Sequence, residues 1–128
     1  MQVKDVMIKD VVTISPFAKL REALSLLKSK NIKSLVVEKQ TDSDAYGLIT
    51  YTNILKTVIA EDGDIDLLNV YDICAKPALA VGASLSLKQC AAMMVQQHVK
   101  RLVVLKDNEL EGFVTMDDIM GELLKKVD

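Results

Sequence analysis

Apolar residues recur at three- and four-residue spacing in two parts of the chain, a pattern that predicts amphipathic helices. The two stripes are Leu20, Ala23, Leu24 and Leu27, and Leu87, Cys90, Ala91 and Met94. Ser15 is a suitable N-cap for the first helix, and Pro16 suits its first position. Asn31 and His98 follow the stripes, so we expect the helices to end there.

Two β-branched apolar runs follow each helix and predict paired strands covered by helices. The runs are "SLVVEK" and "GLITYT" in the first half, and "RLVVLK" and "GFVTM" in the second. A short extended stretch precedes each helix, at 11–16 and 78–83. A second helix closes each half, at about 52–60 and about 117–126. We expect the latter helix to turn Ile119, Met120, Leu123 and Leu124 inward.

The two halves are copies of one pattern. A shift of 67 positions lays Val3–Val6 on Val70–Ile73 and Lys33–Val37 on Lys100–Val104. After a loop shortened by two residues, a shift of 65 lays Gly47 on Gly112 and Thr50 on Thr115. We therefore predict a first repeat at 1–60, a solvated acidic linker at 61–69 and a second repeat at 70–128.

One repeat of about 60 residues buries so little surface that it would be only marginally stable alone. We therefore expect an α/β (α+β) fold in which two β-α-β-β-α repeats share one core. In that fold the repeats pack sheet to sheet about a pseudo-two-fold axis.

Composition narrows the function classes. The net charge is −2 with mixed signs, which does not indicate a nucleic-acid partner. No apolar run reaches the roughly 18–20 residues of a membrane span, and the N-terminus lacks a signal-peptide pattern, so we expect a cytoplasmic protein without a membrane partner. Two cysteines and one histidine make a zinc site improbable. No nucleophile–base set is evident, so we do not expect an enzyme.

The ending "Gly-x-x-Thr-x-x-Asp/Asn-Ile" occurs in both repeats, as "GLITYTNI" at 47–54 and "GFVTMDDI" at 112–119. Together with "KSLVV" and "KRLVV" on the second strand and the β-α-β-β-α order, it makes the chain resemble a tandem pair of CBS (cystathionine-β-synthase-type) domains, the Bateman module. The resemblance covers essentially the whole chain. It implies a regulatory module that binds adenosine-containing ligands such as AMP, ADP, ATP or S-adenosylmethionine in clefts between paired repeats. It also implies a disc-like homodimer.

The resemblance places the main cleft in the second repeat. The carboxylate of Asp118 can accept hydrogen bonds from a ribose diol, and the hydroxyl of Thr115 lies near a helix N-terminus that favours phosphate. Arg101 can neutralise phosphate charge. The residues that the resemblance implies for this cleft are Asp118, Thr115, Phe113, Arg101, Lys100, Lys9, Val11, Val12 and Thr13. The alternative interpretation of Thr115 and Asp118 is a helix capping box.

The corresponding cleft of the first repeat departs from the family pattern. Asn53 stands where Asp is preferred, and Ser34 stands where the second repeat has Arg101. We expect weaker binding here, or a less charged ligand. The implied residues are Asn53, Thr50, Leu48, Ser34, Lys33, Pro77 and Ala78, and no metal ligand is among them.

Three functions remain in competition. The first is a non-catalytic regulatory module that senses AMP, ADP or ATP and transmits a conformational change to an unidentified effector protein. The second is a ligand-independent dimerisation or docking scaffold, which the apolar C-terminal helix favours. The third is a binder of S-adenosylmethionine or NAD(H). The sequence names neither the ligand nor the target.

Overall fold

The structure, a computed structural model, describes all residues from Met1 to Asp128. The chain forms two compact units. The first-repeat unit is Val12–Ala78, and the second-repeat unit combines Met1–Val11 with Leu79–Asp128. None of the helices is both long enough and apolar enough to cross a bilayer.

The first-repeat unit contains a three-stranded sheet in the order β1 (Thr13–Ile14), β2 (Ser34–Val37) and β3 (Gly47–Thr50). β1 runs parallel to β2, and β2 runs antiparallel to β3. The helices are α1 (Leu20–Lys30), α2 (Tyr51–Ile54), which continues as a π-helical segment (Leu55–Ala60), and α3 (Val70–Ile73). The buried side chains of this unit form one core of Ile14, Leu20, Ala23, Leu27, Leu35, Val37, Ile49, Ile54 and Val70.

The second-repeat unit has the same plan. Its sheet has the order β4 (Ala80–Val81), β5 (Arg101–Lys106) and β6 (Glu109–Thr115), with the same parallel and antiparallel pairings. The helices are α4 (Leu87–Gln97) and α5 (Met116–Leu124), and a 3-10 turn (Val3–Asp5) lies near the N-terminus. Its core consists of Val3, Val81, Cys90, Met94, Leu102, Val104 and Val114. The mixed α/β fold and the two predicted apolar stripes are thus confirmed.

The residues that lead into each repeat belong to the other repeat's unit. In the second-repeat unit, isolated bridges join Gln2 to Ser86 and Ile8 to Phe113. In the first-repeat unit, equivalent bridges join Asn69 to Lys19 and Ala75 to Leu48. The shifts of 67 and 65 residues relate the two pairs of bridges, so the internal repeat extends to the hydrogen bonds. We call Val3–Val11 and Val70–Ala78 the crossing segments.

The C-termini of α1 and α4 agree with the prediction, but the N-terminus of α1 does not. Asn31 and His98 are both left-handed C-caps, with φ of 54° and 55°. The predicted N-cap of α1 is wrong, because α1 begins at Leu20. Ser15 instead accepts the N–H of Phe17 in the preceding turn.

Backbone carbonyls of the linker at 61–69 cap the N-terminus of α1 in place of Ser15. The N–H groups of Leu20 and Arg21 donate to the carbonyls of Leu68 (2.9 Å) and Ile65 (3.1 Å). The side chains of Ile65 and Leu68 pack against the core of the first-repeat unit, and Arg21 forms an exposed ion pair with Asp66. The acidic side chains are exposed as expected, but the predicted solvated linker is in fact docked on α1 through its backbone.

The predicted inward face of α5 is correct only for Ile119, which packs against the core. Met120, Leu123 and Leu124 are 41%, 56% and 59% exposed, so their burial within the chain is a wrong prediction. α5 packs against α4 and β6, and these contacts leave its remaining apolar positions exposed.

Candidate functional site

Thr115 and Asp118 form a reciprocal capping box at the start of α5. Thr115 Oγ1 accepts the N–H of Asp118 at 3.1 Å. Asp118 Oδ2 accepts both the N–H and the hydroxyl of Thr115, each at 2.8 Å. All of these contacts use one carboxylate oxygen, so Oδ1 of the half-buried Asp118 has no hydrogen-bond partner in the chain. The cap interpretation is therefore confirmed, and one charged acceptor remains for a ligand.

Two cations lie beside this cap. Arg101 begins β5 and is the strand partner of Thr115, so the two residues are neighbours across the ladder. The carbonyl of Lys100 accepts the N–H of Met116 at 2.8 Å, which fixes the start of α5 against β5. Arg101 is half-buried and Lys100 is exposed, and neither forms a salt bridge within the chain. Two cationic residues without a salt bridge thus lie at the end of β5 that adjoins the Thr115–Asp118 cap.

The N-terminal crossing segment lies against β6 at Gly112. Ile8 and Phe113 exchange two backbone hydrogen bonds, of 2.8 Å and 2.9 Å. A Cβ atom on Gly112 would lie 2.9 Å from both the Ile8 carbonyl oxygen and Met7 Sδ. The glycine therefore permits a close approach, and this approach brings the crossing segment to the half-buried Phe113.

The remaining predicted residues of the main cleft continue along the same segment. Lys9 is exposed and Val11 half-buried, and both follow Ile8 in the second-repeat unit. Val12 and Thr13 belong to the first-repeat unit, where the Val12 carbonyl accepts the N–H of Val36 at 3.2 Å. Seven of the nine residues predicted for this cleft thus belong to the second-repeat unit, namely Lys9, Val11, Lys100, Arg101, Phe113, Thr115 and Asp118, and their grouping into a binding cleft stays a prediction.

The first repeat forms the same capping box, with Asn53 in place of the aspartate. Asn53 Oδ1 accepts the N–H and the hydroxyl of Thr50, each at 2.9 Å. The N–H of Asn53 donates to Thr50 Oγ1 at 3.4 Å. Ser34 is the strand partner of Thr50, and Lys33 precedes it as an exposed cation. All residues predicted for this second cleft lie in the first-repeat unit.

The crossing segment of the first-repeat unit follows the same course over Gly47. Leu48 and Ala75 exchange two backbone hydrogen bonds of 2.8 Å. A Cβ atom on Gly47 would meet the Ala75 carbonyl oxygen at 3.2 Å, a softer contact than at Gly112. Pro77 is exposed, and the N–H of Ala78 donates to the Tyr46 carbonyl at 2.8 Å.

An ion pair ties this crossing segment to the loop between β2 and β3. Lys76 Nζ lies 2.7 Å from Asp44 Oδ1. The hydrogen bond from Lys76, followed by backbone N–H groups of Gln40 and Ala45, lowers the pKa of Asp44 to about 2. The second repeat has a tight turn at Asp107–Asn108 instead of this loop. Neither this ion pair nor the role of Gly47 and Gly112 was predicted from the sequence, although the two glycines occupy matching positions in the repeats.

A family model described as "CBS domain" matches residues 3–60 and 70–125. The uncharacterized protein MK0525 of Methanopyrus kandleri is 28% identical over 113 residues, which cover 88% of this chain and 57% of that relative. The inosine-5'-monophosphate dehydrogenase of Methanocaldococcus jannaschii is 29% identical over 117 residues, covering 91% of this chain and 22% of the enzyme. The chain thus spans only part of these curated relatives.

Solved structures show the same fold. A hexameric CBS-CP12 protein from bloom-forming cyanobacteria superposes with a TM-score of 0.90 at 32% identity, over 94% of this chain and 66% of that one. The CBS domain pair of protein MJ0100, in complex with 5′-methylthioadenosine and S-adenosyl-L-methionine, gives a TM-score of 0.84 at 22% identity, over 96% and 99% of the two chains. Because the family model matches both repeats, the chain belongs to the CBS domain family.

Proposed function

We propose that the chain is a regulatory ligand-sensing module and that it binds an adenine nucleotide, AMP, ADP or ATP, at the Asp118 cap. The proposal rests on one observation, that only one of the two carboxylate oxygens of Asp118 forms hydrogen bonds within the chain. Oδ2 of Asp118 completes the cap, while Oδ1 has no partner in the chain, and Arg101 is the strand partner of the capping Thr115. A cap alone needs only one acceptor, so the second oxygen is available to a ligand.

The chemistry of a nucleotide fits these groups. The ribose hydroxyls would donate to Asp118 Oδ1, a charge-assisted bond stronger than a neutral one. Arg101 and Lys100 would face the phosphates. The hydroxyl proton of Thr115 is already donated to Asp118, so we assign the phosphate to the cations rather than to this hydroxyl. The base would lie against Phe113 and the crossing segment.

Regulation would follow from the course of the crossing segment. Val11 is the last residue of this segment in the second-repeat unit, and Val12 is the first residue of the first-repeat unit. A ligand that holds Ile8–Val11 against Phe113 would therefore act on the covalent connection between the units. The ligand shifts the balance of conformations only by its differential affinity for them.

The comparisons support a regulatory role. In the MJ0100 complex the CBS domain pair binds two adenosine-containing compounds. A further match is a putative signal-transduction protein with CBS domains from Burkholderia ambifaria, with a TM-score of 0.83 at 21% identity. The match to the dehydrogenase covers 22% of that enzyme, which suits a module that can accompany a catalytic domain.

The test is calorimetric titration of the protein with AMP, ATP, S-adenosylmethionine and NADH. The key variant is Asp118→Asn, because the amide oxygen can still accept the capping bonds while the charge is lost. We expect AMP or ATP to bind the wild type and to bind the variant about tenfold or more weakly, since a hydrogen bond to a charged group contributes about 1.5–3 kcal/mol. Asp117→Asn removes the same charge from the exposed neighbouring residue and is the matched control.

The outcomes separate the parts of the proposal. Absence of binding by all four compounds would refute a nucleotide sensor. Equal affinity in the wild type and Asp118→Asn would refute the role of Asp118. Tighter binding of S-adenosylmethionine or NADH than of AMP or ATP would replace the adenine nucleotide by that ligand.

A second candidate function is self-association, as a homodimer or larger assembly that serves as a docking scaffold. Exposed apolar side chains on the closing helices of both repeats favour it, namely Tyr51, Leu55, Ile59, Met120, Leu123 and Leu124. Light scattering over a dilution series tests it, and a monomer at all concentrations would refute it. The two functions are compatible, since a ligand could act on the geometry of such an assembly.

A further inference from the structure

In the first repeat, the loop between β2 and β3, at 38–46, binds the end of the crossing segment. Lys76 Nζ lies 2.7 Å from Asp44 Oδ1, and the two side chains are 43% and 22% exposed. Two positions further on, the N–H of Ala78 donates to the carbonyl of Tyr46 at 2.8 Å. The loop thus holds both a side chain and a backbone donor of this segment. We call these two contacts the latch.

The second repeat has no latch. The shift of 67 residues lays Lys9 on Lys76 and Val11 on Ala78. Lys9 is exposed and forms no salt bridge within the chain. The N–H of the half-buried Val11 has no hydrogen-bond partner within the chain. An N–H group in this state takes water or a ligand as its partner.

The length of the connection between the paired strands accounts for this difference. The connection has nine residues in the first repeat, at 38–46, and seven residues in the second, at 105–111. In the shorter connection Lys106 pairs with Glu109 around a tight turn. The shorter connection therefore closes on itself, whereas the longer one closes on the crossing segment.

We propose that the latch closes the first repeat to nucleotide, so that the chain binds one nucleotide, at the second repeat. A base that lies against the crossing segment needs a hydrogen-bond donor there, because the ring nitrogens of adenine are acceptors. Ala78 already donates its N–H to Tyr46, whereas the N–H of Val11 is available. The inference rests on the proposed function, because it assumes that the base lies against the crossing segment.

The side chains at the two caps agree with this assignment. Asn53 and Ser34 stand where the second repeat has Asp118 and Arg101, and Lys33 is the one cation of the predicted first-repeat cleft. The repeat that carries the latch is thus also the repeat with fewer charged groups for a ribose diol and for phosphates.

Amide hydrogen exchange of the nucleotide-free protein tests the latch itself. We expect the amide of Ala78 to exchange about tenfold or more slowly than that of Val11, because only the former is hydrogen-bonded. Asp44→Asn removes the charge that holds Lys76, and we expect it to lower the protection of Ala78. Asp42→Asn removes the same charge from the same loop without removing a partner of Lys76, and it should leave the protection of Ala78 unchanged.

Titration with AMP, followed by calorimetry and by amide chemical shifts, tests the closure. In the wild type we expect one AMP per chain and shifts at Phe113 but not at Leu48. In a loop-exchange variant, residues 38–46 are replaced by the seven residues of 105–111. This variant lacks the latch, so we expect it to bind AMP at the first repeat about tenfold or more tightly than the wild type does, with shifts at Leu48. Asp44→Asn should act in the same direction by a smaller factor, and it still tests the closure should the loop-exchange variant not fold.

The failure of the inference is distinguishable from the failure of the proposed function. If AMP does not bind the wild type, the proposed function is refuted and the inference falls with it. If the two repeats of the wild type bind AMP equally well, only the inference is overturned. The inference is also overturned if neither variant binds AMP more tightly at the first repeat, or if Ala78 is no better protected than Val11. Equal effects of Asp42→Asn and Asp44→Asn would assign the change to general charge and would overturn it as well.

Discussion

Gly112 is a position where one added methyl group should have a large effect, because backbone of the crossing segment lies against it. In Gly112→Ala the added Cβ would lie 2.9 Å from the Ile8 carbonyl oxygen and 2.9 Å from Met7 Sδ. The methionine can rotate, but the Ile8 carbonyl belongs to the backbone. It accepts the N–H of Phe113 at 2.9 Å, and the N–H of Ile8 donates to the Phe113 carbonyl at 2.8 Å. Relief of the overlap therefore requires the crossing segment to move away from β6.

The cost can be worked from these contacts. Loss of two backbone hydrogen bonds of ordinary net strength costs about 1–3 kcal/mol. A methyl group forced into a filled space costs a similar amount, about 1–3 kcal/mol, and relief of the clash gives up the bonds, so the two terms are alternatives. We expect Gly112→Ala to lower the free energy of unfolding by about 2 kcal/mol, or the melting temperature by roughly 8 °C for a chain of this size.

Gly121→Ala is a control with the opposite expected sign. Gly121 lies inside α5, and a Cβ there would meet nothing within 4 Å. Alanine is favoured over glycine in a helix interior by up to about 1 kcal/mol, so this variant should be slightly more stable than the wild type. Gly47→Ala should lie between them, because its nearest backbone contact is the longer 3.2 Å to the Ala75 carbonyl.

Urea and thermal unfolding of the three variants measure these differences, and amide hydrogen exchange locates them. In Gly112→Ala we expect the amides of Ile8 and Phe113 to lose protection selectively. A melting temperature equal to that of the wild type would refute the close-approach explanation. So would a loss of stability in which Ile8 and Phe113 keep their wild-type protection.

Two further predictions concern other parts of the molecule. The hydrogen bond from Lys76, together with backbone N–H groups of Gln40 and Ala45, lowers the pKa of Asp44 to about 2, below the unfolded value of about 3.9. These contacts therefore stabilise the fold above about pH 4, and their contribution is lost as the pH falls towards 2. Lys76→Met should return the Asp44 pKa towards 3.9 by NMR titration, and an unchanged pKa would contradict the ion pair. The double variant Leu123→Lys with Leu124→Lys should leave the melting temperature within about 4 °C of the wild-type monomer, because both side chains are exposed and cations suit the C-terminal end of a helix, yet abolish any self-association seen by light scattering. A large loss of monomer stability would show that these residues are buried within the chain.

Much of the fold was predictable because local sequence encodes it. The stripes of α1 and α4 and the β-branched strands are direct consequences of periodicity and side-chain shape. The αL residues Asn31 and His98 were predicted as helix ends, and Asn is a common residue there. The wrong prediction, the N-cap of α1, concerns contacts with residues that are distant in the sequence. The carbonyls of Leu68 and Ile65 cap α1 instead of Ser15, and backbone carbonyls have no sequence signature.

The candidate site likewise contains local features that were predicted and a long-range contact that was not. The reciprocal bonds of Thr115 with Asp118, and of Thr50 with Asn53, were expected from their spacing. The close passage of Ile8 over Gly112 was not, because it joins residues more than one hundred positions apart. Ligand binding at these caps stays a prediction, since a cap and a site use the same residues.

The two repeats form the same capping box with different side chains. A capping box needs only an acceptor three residues after the threonine, and Asp118 and Asn53 supply it equally, at 2.8 Å and 2.9 Å. The capping bonds do not use the other atom of the side chain, which is an acceptor in one repeat and a donor in the other. The strand partner of the threonine changes in parallel, from Arg101 to Ser34. Both differences fall on groups without partners inside the chain, which is where the chemistry of a ligand, rather than the stability of the helix, would decide the residue.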